Sequence, residues 1–218
     1  MSGSPLPCVL ITGFDGFGED RDSGKNPSSL AALQLQGQII AGHRVESASL
    51  PTAFGASGMR LKELVLEHRP SLVLCVGQAG GRAAIELERV AINVDDAPMP
   101  DNAGQQPIDQ AVIAGGPAAY FSRLPIKACV QALTDAAVPA RISQSAGTFV
   151  CNHVFYTLMH ELAGMGHRAR GGFVHVPWLP EQGQPSLPAD IVVKALRIIV
   201  QTSLNTDSDS KQAGGQIA

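Results

Sequence analysis

The feature that most constrains this chain is an alternation of type. Short apolar runs recur along it, and segments with apolar residues at helical spacing lie between them. Residues 8–12 and 71–76 are apolar runs of strand length, and 172–176 reads as another strand. Segments 44–50 and 139–143 read as further strands. Segment 85–94 alternates, with Ile85, Leu87 and Arg89 on one face and Glu86, Glu88 and Val90 on the other. Helices are predicted at 29–35, 58–68, 125–137, 151–164 and 188–204. Pro27 suits a helix start, where its missing N–H would be unpaired anyway. His68 and Arg69 suit the negative end of a helix dipole, and Pro70 stops that helix.

Strands alternating with helices predict an α/β fold. The expectation is a single three-layer α/β/α domain over residues 1–205, built on a mostly parallel or mixed twisted sheet. Segment 95–116 is polar and rich in Pro and Gly. Residues 206–218 are polar and poor in apolar groups, and they are predicted to form a disordered tail.

Composition narrows the function classes. Hydrophobic residues make up 44% of the chain and charged residues 16%, which predicts a large buried fraction and a self-association surface. The net charge is −3 and no basic stripe is present, so a nucleic-acid partner is not expected. No apolar run is long enough to cross a bilayer, and residues 1–7 lack the basic and apolar regions of a signal peptide. Neither a membrane nor a secreted location is expected. The four cysteines, Cys8, Cys75, Cys129 and Cys151, include no Cys-x-x-Cys pair. That fits reduced thiols in a cytoplasm. For the first three the expected role is that of small buried hydrophobes.

In an open α/β sheet, ligands gather beyond the carboxyl ends of the strands. Three segments are expected to meet there. Cys151 falls where a loop turns into a helix, and a helix N-terminus favours a thiolate and offers N–H groups to an oxyanion. Position alone leaves a buried structural thiol equally open. His175 ends the strand that follows the Cys151 helix, level with that helix's N-terminus, and a Cys–His pair is the expected result. His153 points to a different side of the helix from Cys151, and His160 lies about half a turn round the axis at ~3.6 residues per turn. His167 belongs to the far end, while His43 and His68 read as surface residues. A carboxylate could orient the imidazole. Glu86 and Glu88 share a strand face, so alternation does not choose between them, and both could equally lie on a solvated face.

The long motifs point further. They are Thr12-Gly-Phe14-Asp-Gly-Phe17-Gly, Asn26-Pro-Ser, Leu50-Pro-Thr52, Gly77-Gln78-Ala-Gly-Gly-Arg82, Glu88-Arg-Val-Ala-Ile-Asn93, Pro100-Asp-Asn102, Ser145-Ala-Gly-Thr-Phe149-Val-Cys151-Asn and His175-Val-Pro-Trp-Leu-Pro-Glu181-Gln. Together they resemble the pyrrolidone carboxyl peptidases (pyroglutamyl peptidase I, a cysteine peptidase family), from about residue 9 to residue 200.

The resemblance implies Cys151 as nucleophile, His175 as general base and acid, and Glu88 rather than Glu86 as the third catalytic residue. It implies an apolar pocket for the pyroglutamyl ring, with Phe14, Phe17 and the backbone around Gln78, and with Thr52, Met99 and Phe149 as weaker members. Two departures stand out. Glu86 occupies a place where the family usually has Ser or Thr, and Gly16 replaces a common Pro, which would loosen that loop. Peptides with an N-terminal pyroglutamate are the implied partners, and a homo-oligomer, dimer or tetramer, is implied too. No cofactor is expected and no metal, since no His-Glu-x-x-His or paired Cys/His spacing occurs. The alternatives are an amidase or glutaminase-type Cys hydrolase and a catalytically silent lactam-binding module.

Overall fold

The structure, a computed structural model, describes residues 6–18, 25–165 and 169–215. Seven strands make the main sheet: β1 (Cys8–Phe14), β2 (Ile39–Ile40), β3 (His43–Leu50), β4 (Leu72–Gln78), β5 (Ile85–Glu88), β8 (Ala140–Ser143) and β9 (Arg170–Val176). Their order is β2-β3-β1-β4-β9-β5-β8. The neighbours β3/β1, β1/β4, β4/β9 and β5/β8 are parallel, while β2/β3 and β9/β5 are antiparallel. The sheet is therefore mixed. Two strands, β6 (Val90–Ile92) and β7 (Ala119–Phe121), form a separate antiparallel ribbon.

Alternation along the central strands separates two cores. Val9 and Ile11 of β1, Leu72, Leu74 and Val76 of β4, and Val174 and Val176 of β9 face one way. There they meet α1 (Pro27–Gln34), α3 (Ile126–Asp135) and α5 (Ala189–Asn205). Leu10, Val73, Cys75 and Phe173 face the other way, toward α2 (Ala56–His68) and α4 (Val150–Gly164). Strands covered on both faces read as continuous apolar runs, which is why β1 and β4 were legible. On α5, Val192, Ala195, Leu196, Ile199 and Val200 are fully buried. Each large aliphatic side chain so placed is worth roughly 1.5–3 kcal/mol.

The predicted strand 85–94 divides. Residues 85–88 stay in the main sheet and 90–92 leave it, with the break at Arg89. The Arg89 N–H donates to the Ser143 carbonyl (2.9 Å), and its own carbonyl accepts from Ser122 (2.9 Å). One residue thus bonds both ways as the chain passes from one sheet to the other. The short strands β2 and β7 were not anticipated.

Helix starts follow their sequence signals. Asn26 caps α1, its Oδ1 accepting from the Ser28 N–H (3.0 Å) and hydroxyl (2.7 Å), with Pro27 behind it. Arg69 ends α2 in the left-handed region at φ 44°. Beyond α5, the tail residues 206–215 form no regular element. Asp209 accepts from the backbone N–H groups of Lys127 (3.1 Å) and Ala128 (3.0 Å) at the start of α3. The Gly214 carbonyl accepts from Arg89 Nη2 (2.8 Å). The rest of the tail, residues 216–218, lies outside the described residues, as does His167. Among the described residues no helix is long and apolar enough to cross a membrane.

Candidate active site

Cys151 is the second residue of α4, and His175 is the penultimate residue of β9. In the sheet, His175 sits between Gly77 of β4 and Glu86 of β5. Its side chain lies on the α4 side, opposite to Val174 and Val176. Gly77 explains how the thiol gets close. A Cβ built there would lie 2.8 Å from Cys151 Sγ and 2.8 Å from the Phe173 ring. The sulfur therefore occupies space that any side chain on β4 would fill.

His175 Nδ1 is 2.7 Å from Glu88 Oε1. A carboxylate only accepts, so Nδ1 carries the hydrogen and Nε2 is left for the thiol, with which the ring also hydrogen-bonds. Burial alone would push the imidazole pKa down. The charge of Cys151 and its hydrogen bond, then the hydrogen bond and charge of Glu88, outweigh that and raise it from 6.5 to about 9. The raised pKa favours the cationic ring, and the geometry is that of a Cys–His pair with a carboxylate behind the imidazole.

The two glutamates do not lie on a solvated face. Glu86 is 3% exposed and Glu88 is fully buried, both on the α4 side of the sheet. Of the two, Glu88 is the one whose side chain hydrogen-bonds His175. Glu86 instead pairs with Arg82 and with Arg141, whose Nε is 2.6 Å from Glu86 Oε1. Arg82 Nη1 also reaches Glu88 Oε1 at 3.0 Å.

Beside Cys151 is a small cavity of about 140 Å³, lined by Phe14, Phe17, Asn26, Thr52, Gln78, Phe149 and Val150. Five of the six residues expected in the pocket are there. The sixth, Met99, is 46% exposed and does not line it. Asn26 and Val150 were missed, although Asn26 belongs to a quoted motif and Val150 adjoins Cys151. The aromatic wall is a chain of contacts. Phe17 and Phe54 each pack on Phe149 with ring centroids 5.3 Å apart, the Phe54 pair edge to face.

Polar side chains hold that wall. Asp101 accepts from the Phe54 N–H (2.7 Å), and His153 Nε2 accepts from the Gly55 N–H (3.2 Å). His153 Nδ1 then donates to Asp95 Oδ2 (2.8 Å). Asp15 Oδ1 takes the N–H and hydroxyl of Thr52 (2.7 and 2.6 Å). The loop at Gly16, expected to be loosened, is tied by Asn102 Nδ2 at the Gly16 carbonyl (2.8 Å).

The α4 N-terminus is fixed in place by Asn152, which bonds Ile92 N–H (3.0 Å) and the carbonyls of Ile92 and Val94 (both 2.9 Å). The N-cap, Phe149, offers no side-chain cap. The first N–H groups of α4 have no intrahelical acceptor and lie beside the thiol, where an oxyanion would form. All four cysteines are free. Cys75 and Cys129 are fully buried as expected, whereas Cys8 is only partly so. Among the described residues no cluster of three His, Cys, Asp or Glu side chains could hold a metal ion.

Comparison with known proteins gives the family. The family model for pyroglutamyl peptidase matches residues 8–206. A protein of Ralstonia nicotianae named pyrrolidone-carboxylate peptidase 1 is 56% identical, over 97% of this chain and 100% of its own. The pyrrolidone-carboxylate peptidase of Cupriavidus taiwanensis is 53% identical over the same shares. Among solved structures, pyroglutamyl peptidase I of Bacillus amyloliquefaciens superposes with a TM-score of 0.90 at 44% identity, covering 94% of this chain and 100% of that one. The pyrrolidone carboxyl peptidase of Thermococcus litoralis gives 0.91 at 34% identity, covering 95% and 100%. With a matched stretch that begins at β1 and ends just past α5, this chain belongs to the pyroglutamyl peptidase family.

Proposed function

We propose that this chain hydrolyses the bond after an N-terminal pyroglutamyl residue, with Cys151 as nucleophile, His175 as general acid and base, and Glu88 orienting the imidazole. The observation that carries the reading is the buried Glu88–His175 pair meeting Cys151 at the edge of a small aromatic cavity. Drug-sized ligands need cavities of roughly 300–1,000 Å³. A cavity of about 140 Å³ suits a single five-membered ring. Apart from Cys151, its lining residues carry no charge, which suits a lactam with no free amino group.

The Cys151 thiolate adds to the pyroglutamyl carbonyl carbon, and the oxyanion faces the N–H groups at the start of α4. The His175 imidazolium gives its Nε2 proton to the leaving nitrogen, the C–N bond breaks, and a thioester remains. The neutral imidazole then takes a proton from water, whose oxygen attacks the thioester. The C–S bond breaks, pyroglutamate leaves, and the thiolate–imidazolium pair is restored.

Cys151→Ser and His175→Ala are expected to abolish hydrolysis of a pyroglutamyl-arylamide with the fold intact by circular dichroism. Full activity in either would overturn the assignment. An amidase or glutaminase-type reading instead requires turnover of free glutamine, and a silent binding module requires lactam binding without product. Both are decided in the same assay by adding those two measurements.

The high apolar content and the free thiols support two further parts of the reading. The chain self-associates as a dimer or tetramer, which light scattering reports, and it works in a reducing cytoplasm.

A further inference from the structure

The loop after β4 and the edge strand β8 bring two arginines to the buried glutamates, and the reaction steps above use neither. Glu88 is fully buried, and its Oε2 has no hydrogen-bond partner among the described residues. Its other oxygen takes both His175 Nδ1 (2.7 Å) and Arg82 Nη1 (3.0 Å). A buried carboxylate is costly unless its charge is paired. A second carboxylate two residues away on the same strand face, Glu86, adds to that cost by like-charge repulsion.

Two cations oppose this. Arg82 bridges Glu86 and Glu88, and Arg141 holds the far oxygen of Glu86. The two arginines match the two glutamates in formal charge.

We propose that Arg82 is a positioning residue for the reaction: it pairs with the Glu88 carboxylate and keeps it aimed at His175, and Glu86, itself held by Arg141, attenuates that pull. This rests on the catalytic reading of Glu88, His175 and Cys151. Glu86 faces His175 across the β5/β9 ladder, yet its oxygens go to the two arginines. It therefore competes with Glu88 for Arg82. The other charged or titratable groups nearby are placed elsewhere. Cys151 comes from α4, Cys75 from β4 on the thiol's side, and Arg89 turns away to the Gly214 carbonyl.

The sign follows. A cation beside a site favours negative charge there, and an anion disfavours it. Arg82→Gln is expected to move the acid limb of kcat/KM to higher pH and to lower kcat ~10- to 100-fold, the range seen when an outer partner of a site is lost. KM should change little. Glu86→Gln should move the same limb the opposite way, to lower pH. Arg82→Lys, which keeps the charge but not the fork, should hold the limb near its wild-type position.

Because Arg82→Gln leaves two buried carboxylates and could unfold, thermal unfolding is run alongside. Arg82→Lys and Glu86→Gln then carry the test. The rate of Cys151 alkylation by a neutral reagent against pH is measured on every variant. It reports thiolate formation even if no pyroglutamyl substrate is turned over, so the proposal can fail separately from the activity. Opposite shifts for Arg82→Gln and Glu86→Gln support it, or, where Arg82→Gln is unfolded, a shift to lower pH in Glu86→Gln with the limb held in Arg82→Lys. Unchanged limbs, or shifts of the same sign, overturn it.

Discussion

At the scale of single residues, the chemistry depends on a few groups whose charges are set by burial and by one another. His175 is the clearest. Its pKa is raised from 6.5 to about 9 by anionic partners that outweigh its burial. A raised histidine stabilises the fold fully below its unfolded pKa near 6.5, and that contribution is lost as pH rises through about 9. Glu88→Gln removes one of the anions. Its alkaline limb of activity should therefore fall at lower pH than in the wild type. Melting temperatures taken below pH 6.5 and above pH 9 should also differ less in the variant than in the wild type. An unshifted limb would mean that Glu88 contributes geometry alone. Cys151 and His175 were legible because a helix start and a strand end are readable positions. The choice of Glu88 over Glu86 was not legible from alternation, since both side chains share a face. It came from the motif, and the 2.7 Å contact supports it. Nothing local announced that Glu86 would be buried, because the arginine that covers its far side arrives from residue 141.

At the scale of elements, sequence patterns served best where a strand is covered on both faces and least where pairing is local and exposed. The strands β2 and β7 span two and three residues, and Ile39 and Phe121 are 63% and 70% exposed, so no apolar periodicity marks them. The division of segment 85–94 was invisible because alternation continues through Arg89 while the hydrogen-bonding partners change. The segment 95–116, polar and rich in Pro and Gly, supplies Asp95 and Asp101, which anchor the Phe54–Gly55 corner through His153 and directly. His153 was correctly set apart from Cys151, but its role as a brace needed the fold. Asp95→Ala leaves the His153 Nδ1–H without its acceptor. A cost of ~1–3 kcal/mol in urea unfolding is expected, with a raised KM as the Phe54–Phe149 wall loosens. Asp95→Asn keeps an acceptor oxygen and should recover most of both. Equal losses in the two variants would point to charge rather than to the hydrogen bond.

At the scale of the whole molecule, the α/β/α layering was legible and the mixed sheet was within its terms, because the antiparallel entry of β5 changes no hydrophobic pattern. That entry has a purpose for the site: it brings Glu88 to β9 along the flank opposite β4, while α4 brings the thiol over Gly77. The end of the chain carries a different consequence. β8 is an outer strand of the sheet, and Gly214 lies so close to it that a Cβ there would be 2.6 Å from Ile142 Cδ1. Outer strands left bare invite further strands to add, and proteins commonly cover them. Residues 212–215 gather with Ala140, Arg141 and Ile142 around one depression, so the tail is placed to guard that edge against added strands. A chain ending at Asp209, which keeps that residue's bonds to α3, should melt at nearly the wild-type temperature yet scatter more light during prolonged warm incubation. A purification tag joined to this end would hang from the guard itself, so tags belong at the other terminus.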